Sequence, residues 1–240
     1  MKNRIGLNVI ILIVAGFLLS ACQMARGSGD MVTERREASN FDSVTLLGSG
    51  EVIIVQDGEE SLTIETDDNI LQYITSEVSG GTLILAFEPG TANISPTKLT
   101  FTVGVDDLVG ASVDGSGDIV AGSLETGSLD VDISGSGMVK IDNLTAEELT
   151  VVIEGSGDAE LAGQVKQQTV NIDGSGEYRA GDLRSDSATV NVDGSIGAIV
   201  WAVKTLNVTI NGSGSVGYYG SPSVSYSEEG SGSLNSVGEK

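Results

Sequence analysis

A Gly-Ser-Gly tripeptide recurs along the second half of this chain at nearly constant spacing. It begins at Gly115, Gly135, Gly155, Gly174, Gly212 and Gly230, and a broken copy, Gly-Ser-Ile-Gly, occupies 194–197. Successive copies lie 20, 20, 19, 20, 18 and 18 residues apart. Self-similarity at a fixed period of this size is typical of a solenoid, in which each repeat buries its apolar face only against its neighbours.

Two runs of alternating apolar residues lie between successive tripeptides. The second run of one repeat, for example, is Leu149, Val151 and Ile153. Period-two alternation indicates strands rather than helices. An apolar residue at every sixth position, which a left-handed hexapeptide helix would need, is not seen. The sequence therefore predicts an all-β fold, a right-handed parallel β-helix with rungs of about 18 to 20 residues.

Some repeats depart from this pattern. Gln164 and Gln168 stand where apolar residues are expected, and Val165 comes one place late. Near the end of the chain, Ser221 and Glu228 occupy expected core positions. We therefore expect the stack to end near residue 235.

The tripeptides are predicted to form the corners of the rungs. Glycine accepts a positive φ, and without a side chain it lets successive corners lie over one another. A phosphate-binding loop would need a following helix and a nearby lysine, whereas residues typical of strands follow each copy. The predicted corner residues are Gly48, Gly50, Gly115, Gly117, Gly135, Gly137, Gly155, Gly157, Gly174, Gly176, Gly194, Gly212 and Gly214.

The first 21 residues read as a signal peptide. Lys2 and Arg4 precede an apolar stretch, and Leu19-Ser-Ala-Cys22 resembles the lipobox of bacterial lipoproteins. That resemblance implies cleavage before Cys22, which would carry the lipid, and firm anchoring by several acyl chains. In a Gram-negative source, Gln23, at the position where an aspartate would imply inner-membrane retention, favours the outer membrane. Since Cys22 is the single cysteine, no disulfide or thiolate metal site is expected.

The remainder divides by pattern. Residues 22–37 lack apolar periodicity and are predicted to form a lipidated tether. Residues 38–235 are predicted to form the β-helix, with irregular rungs or a cap at 38–107, regular repeats at 108–235 and a frayed tail at 236–240. A separate small β domain over 38–107 is the alternative.

Charge and composition exclude several functions. The formal net charge is −22, so nucleic acid is not an expected partner, because binding it depends on Lys and Arg. The chain has no histidine, which removes the commonest general base and the usual zinc ligands. The acidic residues follow outward positions of the repeat. We therefore expect a protein that is not an enzyme and has no cofactor, calcium excepted.

Carboxylates flank several predicted corners. If the rungs stack, these side chains form columns in which like charges repel, and a calcium ion could bridge them through oxygen ligands. The alternative is a solvated acidic edge, since Met138 and Ser215 interrupt the columns and the spacing of the calcium-binding β-roll is absent. The candidate ligands are Asp114, Asp118, Glu154, Asp158, Asp173 and Glu177.

Residues 38–235 resemble a known bacterial family. The similarity lies in Phe41-Asp-Ser-Val44, Asp68-Asn-Ile-Leu71, Gly81-Thr-Leu-Ile84 and the serial Gly-Ser-Gly corners. The family is a domain of unknown function described as "Putative auto-transporter adhesin, head GIN domain". The resemblance implies a right-handed single-stranded β-helix, similar to pectin-lyase folds but without their catalytic residues, and a role in cell adhesion. Ile196, inside one corner, departs from the pattern.

These observations support a lipid-anchored envelope protein that presents a long stacked surface. The leading hypothesis is adhesion, in which ladders of polar side chains on the strand faces bind a glycan or a surface protein. The alternatives are a carbohydrate-active lyase or hydrolase, and a structural or calcium-binding spacer. The sequence leaves the oligomeric state open. The ladder residues are Thr150, Asn171, Thr189, Asn191, Asn207 and Thr209.

Overall fold

A computed structural model describes residues 25–91 and 94–240 of the protein. The predicted signal peptide and Cys22 lie outside the described residues. The described residues form strands and one short 3-10 helix, Leu71–Tyr73, and none of them forms an α-helix. Within the same two ranges, no helix is long and apolar enough to cross a bilayer. The strands are β1 (Ala25–Arg26), β2 (Met31–Arg36), β3 (Ser43–Gly48), β4 (Glu51–Gln56), β5 (Ser61–Asp67), β6 (Ile74–Ser79), β7 (Thr82–Phe87), β8 (Ile94–Ser95), β9 (Leu99–Val105), β10 (Gly110–Gly115), β11 (Asp118–Glu125), β12 (Ser128–Gly135), β13 (Met138–Gly155), β14 (Asp158–Gly174), β15 (Glu177–Gly194), β16 (Gly197–Gly212), β17 (Ser215–Tyr219), β18 (Ser223–Gly230) and β19 (Ser233–Gly238).

The prediction of an all-β solenoid is confirmed, and the coil has about six turns. Each turn has three walls. The first wall ends at a corner glycine, as in Ser128–Gly135; the second follows the corner; and a short third wall returns the chain to the next rung. Strands β13 to β16 are long because each continues through the second and third walls into the next first wall. All strand pairs between successive regular rungs are parallel. The right hand of the coil and the role of the tripeptides as its corners stay predictions, and we keep the name corner for the tripeptides.

The core is a set of apolar columns inside the coil. On the first wall, the side chains two and four residues before each corner glycine from Gly48 to Gly212 point inward, and each rung places them over the rung below. Each is at most 2% exposed, so the alternation seen in the sequence becomes one continuous interior. The two columns are Val44, Ala111, Val131, Val151, Val170, Val190 and Val208, and Leu46, Val113, Ile133, Ile153, Ile172, Val192 and Ile210.

The first glycines of the tripeptides form a column of their own. From Gly48 to Gly230 they pair in register, with φ between +107° and +140°. A Cβ on Gly174 would lie 2.0 Å from the carbonyl oxygen of Gly155, so both the backbone conformation and the close approach require glycine. The N–H of Ser175 donates to that same oxygen at 2.7 Å. The corners are thus tied together by backbone hydrogen bonds.

The broken corner adds a side chain to the core. Ile196 takes the place of the second glycine of the tripeptide, and it is 5% exposed. In an intact corner this position has little space, since a Cβ on Gly157 would lie 2.3 Å from Ile133 Cγ2. The departure therefore changes the packing of one rung without interrupting the stack.

Gln168, one of the two glutamines that stand at expected apolar positions of the imperfect repeat, belongs to a network of buried polar side chains in the core. The hydroxyl of Tyr178 donates to Gln168 Oε1 at 2.9 Å, and Gln168 Nε2 donates to Ser185 Oγ at 2.8 Å. Ser185 Oγ in turn donates to the carbonyl oxygen of Trp201 at 2.8 Å. Gln168, Tyr178 and Ser185 are each at most 1% exposed. The glutamine is therefore a satisfied core residue, as buried polar groups generally are.

The N-terminal part combines one regular rung with an antiparallel cap. Strands β3 and β4 lie in parallel register beneath β10 and β11. Between β4 and β10, the chain forms a further layer below this rung, in which β7 pairs with β3 and β9 pairs with β4. The antiparallel pairs β5–β9, β2–β5 and β6–β7 close this end. Residues 41–105 thus join the solenoid through β3 and β4.

The prediction of a tether over residues 22–37 is wrong for most of that segment. Met31–Arg36 is strand β2, paired with β5, and Ala25–Arg26 pairs with Ile94–Ser95. The sequence reading failed because this segment is held by backbone pairing and side-chain caps, neither of which produces an apolar period. Of the predicted tether, residues 25–36 are part of the fold.

A buried carboxylate holds the segment between β1 and β2. Asp67 Oδ1 accepts the N–H of Gly29 at 2.7 Å, and Oδ2 accepts the N–H of Thr97 at 2.7 Å. Asp67 is 0% exposed, and burial alone would raise its pKa, but the hydrogen bonds from Gly29 and Thr97 outweigh burial and lower the pKa. We call this arrangement the Asp67 clamp. Next to it, Asn69 Oδ1 accepts the N–H of Ser28 at 3.0 Å.

The C-terminal end is longer than predicted. Instead of ending near residue 235 with a frayed tail, the chain forms β19 over Ser233–Gly238, and the N–H of Gly220 donates to the carbonyl oxygen of Gly238 at 2.9 Å. Lys240 Nζ forms an ion pair with Asp182 and lies 4.5 Å from the ring centroid of Tyr219. The sequence did not predict strand β19 because its residues pair through their backbone and bury little apolar surface.

Candidate functional site

The outward face of the first wall carries two columns of short polar side chains. They alternate with the buried valines, so they point to solvent. Parallel register places each side chain directly over its counterpart in the neighbouring rung, roughly 4.8 Å away. We call these two columns the polar ladder: Thr150, Thr169, Thr189 and Asn207 in one, and Asn171, Asn191 and Thr209 in the other. Sequence reasoning identified all of these except Thr169.

A shallow depression of about 220 Å³ lies along one side of the ladder. Asn171, Asn191 and Thr209 line it together with the carboxylates of Glu154, Asp173 and Asp193. Asn191 Nδ2 donates to Asn171 Oδ1 at 2.9 Å, which orients the two amides along the column. Amide and hydroxyl groups both donate and accept, so this surface can hydrogen-bond a ligand whose polar groups repeat along its length.

The lower end of the ladder is acidic. Asp130 lies directly below Thr150, and Asp132 lies below Val152, which separates it from Asn171; Glu154 is diagonally above Asp132. Partial burial of Asp132, together with the charges of Asp130 and Glu154, raises the pKa of its carboxyl. The face therefore passes from neutral polar groups to closely spaced like charges.

The predicted calcium ligands fall into two columns on either side of the corners. Glu154 pairs in register with Asp173, and Asp158 pairs with Glu177. Ser134 separates Asp114 from Glu154, and Met138 separates Asp118 from Asp158. Asp193, which sequence reasoning did not name, extends the first column above Asp173.

One of these columns already has a cationic partner. Arg179 Nη1 lies 3.3 Å from Asp158 Oδ2, and Arg179 Nη2 contacts the carboxylate of Glu177. Burial would lower the pKa of Arg179, but Asp158 and Glu177 together raise it. Over the described ranges, no three acidic side chains converge closely enough to hold a metal ion. Calcium binding stays a prediction.

The basic residues of the regular repeats are each paired with carboxylates on the same or a neighbouring rung. Lys140 Nζ lies 2.5 Å from Glu160 Oε1, and Lys204 Nζ lies 2.9 Å from Asp186 Oδ2. Arg184 also pairs with Asp186, and Lys166 pairs with Glu147. The third wall therefore carries charges of alternating sign up the stack, which is favourable for neighbouring strands.

A larger groove, of about 730 Å³, runs along the third wall. Gln56 closes its lower end: Gln56 Nε2 donates to the carbonyl oxygens of Asp106 and Glu125 at 3.1 and 2.9 Å, and Gln56 Oε1 accepts the N–H of Glu125 at 2.8 Å. Ala146 and Val165, both buried, lie among its lining residues. Sequence reasoning missed this groove because its lower wall comes from residues 106–107, outside the regular repeats.

Comparison with known families identifies the fold family. Residues 40–222 match the family described as "Putative auto-transporter adhesin, head GIN domain". The chain belongs to this family. The resemblance seen in the sequence is therefore confirmed for the head GIN domain. Among curated proteins, none matches the chain at a significant level.

Solved bacterial structures share the architecture of this head GIN domain protein. A "putative adhesin" from Bacteroides fragilis NCTC 9343 is 28% identical, with a TM-score of 0.84 over 88% of this chain and 99% of that one. A "Putative lipid binding protein" from Parabacteroides distasonis ATCC 8503 is 27% identical, with a TM-score of 0.74 over 88% and 98%. A "putative adhesin" from Parabacteroides merdae ATCC 43184, at 20% identity and a TM-score of 0.69 over 89% and 98%, shows the fold alone. None of these three is described as an enzyme.

Proposed function

We propose that this head GIN domain protein is a non-catalytic, lipid-anchored protein of the bacterial cell envelope that acts in adhesion. In this proposal the polar ladder binds a glycan or a surface protein. The observation that carries it is the alignment of hydroxyl and amide side chains over consecutive rungs on one exposed face. Such a ladder offers a hydroxyl or an amide group at every rung, which suits a ligand with a repeating structure.

Two further observations support adhesion over catalysis. The family and the protein from Bacteroides fragilis are described as adhesins. In the regular repeats, the cations that a lyase would direct at an acidic sugar are instead paired with carboxylates. The enzyme hypothesis therefore has little chemical support. The hypothesis of a calcium-binding spacer would require the carboxylate columns beside the corners to bind a calcium ion.

Membrane anchoring rests on the lipobox that ends at Cys22. Attachment at this residue would place the protein on the outer membrane through acyl chains, without a membrane-spanning helix. The Cys22→Ala variant should move from the membrane fraction to the soluble fraction. Retention of that variant in the membrane fraction would contradict lipid anchoring while leaving the ladder proposal intact.

Ligand binding is tested with a glycan array and with extracted envelope proteins. Asn191→Lys places a long charged side chain in the centre of the ladder and should abolish binding. Asn143→Lys makes the same change at an exposed position on another wall and should leave binding unchanged. If the unaltered protein binds neither glycans nor envelope proteins, or if the two variants behave alike, the ladder is not the binding surface.

A further inference from the structure

The last rung that the structure describes, formed by β18 and β19, is open on one side; we call it the open rung. Strand β18 pairs with β16, and β19 pairs with β17, each along one edge. In the described part of the chain, no strand pairs with their other edges. Every residue of β18 is exposed, including Val224 at 40% and Tyr226 at 41%. An edge of this kind presents backbone N–H and C=O groups in position to pair with another strand.

The side chains of this rung continue the core columns. Register places Val224 over Leu206, Tyr226 over Val208 and Glu228 over Ile210. A strand added in parallel would therefore place every second side chain over these three residues. Aliphatic residues at the first two positions would bury Val224 and Tyr226, which are otherwise exposed apolar surface.

Glu228 determines what the third position can be. The seven residues below it in its column, from Leu46 to Ile210, are all aliphatic and buried. Glu228 Oε2 accepts the hydroxyl of Tyr226 at 2.9 Å, so the carboxylate is held at the top of this column. Covering a carboxylate with an apolar side chain is costly, whereas a Lys or Arg side chain would supply the opposite charge and hydrogen bonds.

A second copy of this chain is a poor occupant. Its own first-wall strands present leucine, valine or isoleucine at the position that would cover Glu228. Two C-terminal edges meeting each other would bring together the carboxylates of Glu228, Glu229 and Glu239 from both copies. Inward-pointing charge of this kind is a known way of preventing edge-to-edge association.

We propose that the open rung accepts an extended strand from a partner protein, with two aliphatic residues over Val224 and Tyr226 and a basic residue over Glu228. Backbone pairing supplies affinity, and the alternate side chains supply specificity, as in other cases of strand addition. This site is distinct from the polar ladder, and it depends neither on lipid anchoring nor on glycan binding.

The test uses the purified protein and two synthetic peptides. The first, acetyl-Thr-Val-Thr-Val-Thr-Lys-Thr-Gly-amide, matches the rung; the second carries glutamate in place of lysine. We expect the lysine peptide to bind about tenfold more tightly, and to slow amide hydrogen exchange in β18. The Glu228→Lys variant should reverse this preference.

A matched control separates the site from general electrostatics. Glu51→Lys makes the same charge change on an exposed carboxylate of the first regular rung, at the other end of the stack, and should keep the native preference. The proposal is overturned if Glu228→Lys fails to reverse the preference, or if Glu51→Lys changes it equally. It is also overturned if sedimentation shows that the native protein pairs with itself through this rung.

Discussion

The hydroxyl of Tyr178 and the side-chain amide of Gln168 meet inside the solenoid, 2.9 Å apart, although they lie on two different walls, in strands β15 and β14. Both are buried, and burial raises the pKa of the Tyr178 hydroxyl, so it remains a hydrogen-bond donor at neutral pH. Without the hydroxyl, Gln168 Oε1 would be buried with no partner. The two residues thus depend on each other.

We expect Tyr178→Phe to lower the free energy of unfolding by about 1 to 3 kcal/mol, the usual cost of an unsatisfied buried polar group. Urea unfolding followed by the fluorescence of Trp201, the single tryptophan, measures this change. The double variant Tyr178→Phe, Gln168→Leu should recover much of the loss, because it removes both polar partners. Tyr218→Phe, in a half-buried tyrosine outside the network, is the control. A double variant less stable than Tyr178→Phe would contradict this account.

The stacked corners predict a large difference between two glycine substitutions. Gly174→Ala would force a Cβ to within 2.0 Å of a carbonyl oxygen at a φ of +140°, and we expect a loss of roughly 3 kcal/mol or more. A Cβ on Gly122 would have no atom within 4 Å, so Gly122→Ala should change the free energy of unfolding by no more than about 0.5 kcal/mol. Thermal melts of both variants make the comparison. Equal effects would mean that the corners do not need to stack closely.

Adjacent residues on the first wall should differ in how much stability they lose from the same change. Val151 is 0% exposed, so Val151→Asn buries an amide and should cost about 3 kcal/mol. Val152 is half-buried and points outward, so Val152→Asn should cost at most about 1 kcal/mol. The midpoints of urea unfolding report both values. A reversed order would place the wrong face inside.

The Asp67 clamp should weaken in acid. Because the pKa of Asp67 is lowered in the folded protein, its contribution to stability is complete above the pKa of the unfolded chain and is lost as the pH falls through the folded pKa. Asp67→Asn should therefore speed hydrogen exchange at Gly29 and Thr97 at neutral pH and remove the acid dependence. Asp68→Asn, at an exposed neighbour, should have a smaller effect. Unchanged exchange in the Asp67 variant would show that the segment is held by β2 alone.

The sequence predicted those parts of the fold that repeat. Alternation placed Val131 and Val151 in the interior, because inward-pointing positions must be apolar in every rung. Thr189 and Asn191 were placed on the outer face by the same reasoning, and the structure puts both in the polar ladder. Regular patterns identify residues that share an environment, which is why the sequence alone predicts most of the ladder.

The remaining features depend on single contacts. Arg26 and Arg36 lie in strands because specific backbone partners hold them, and no period reveals such partners. Gln168 looked like a defect because its partners, Tyr178 and Ser185, lie on other walls of the turn, 10 and 17 residues further along the chain. The groove beside Gln56 was missed since it joins residues 69 positions apart. Side-chain pairing across rungs can be recognised only once the register is known.

The column of corner glycines has a consequence for how such proteins change in length. From Gly115 to Gly230, each corner glycine packs against the backbone of the corner glycine beneath it, so one more rung with the same tripeptide would repeat a contact that the stack already uses. Insertion or loss of whole rungs would then change the height in steps of roughly 4.8 Å. Relatives of different length can therefore reach different distances from a surface while keeping both ends unchanged.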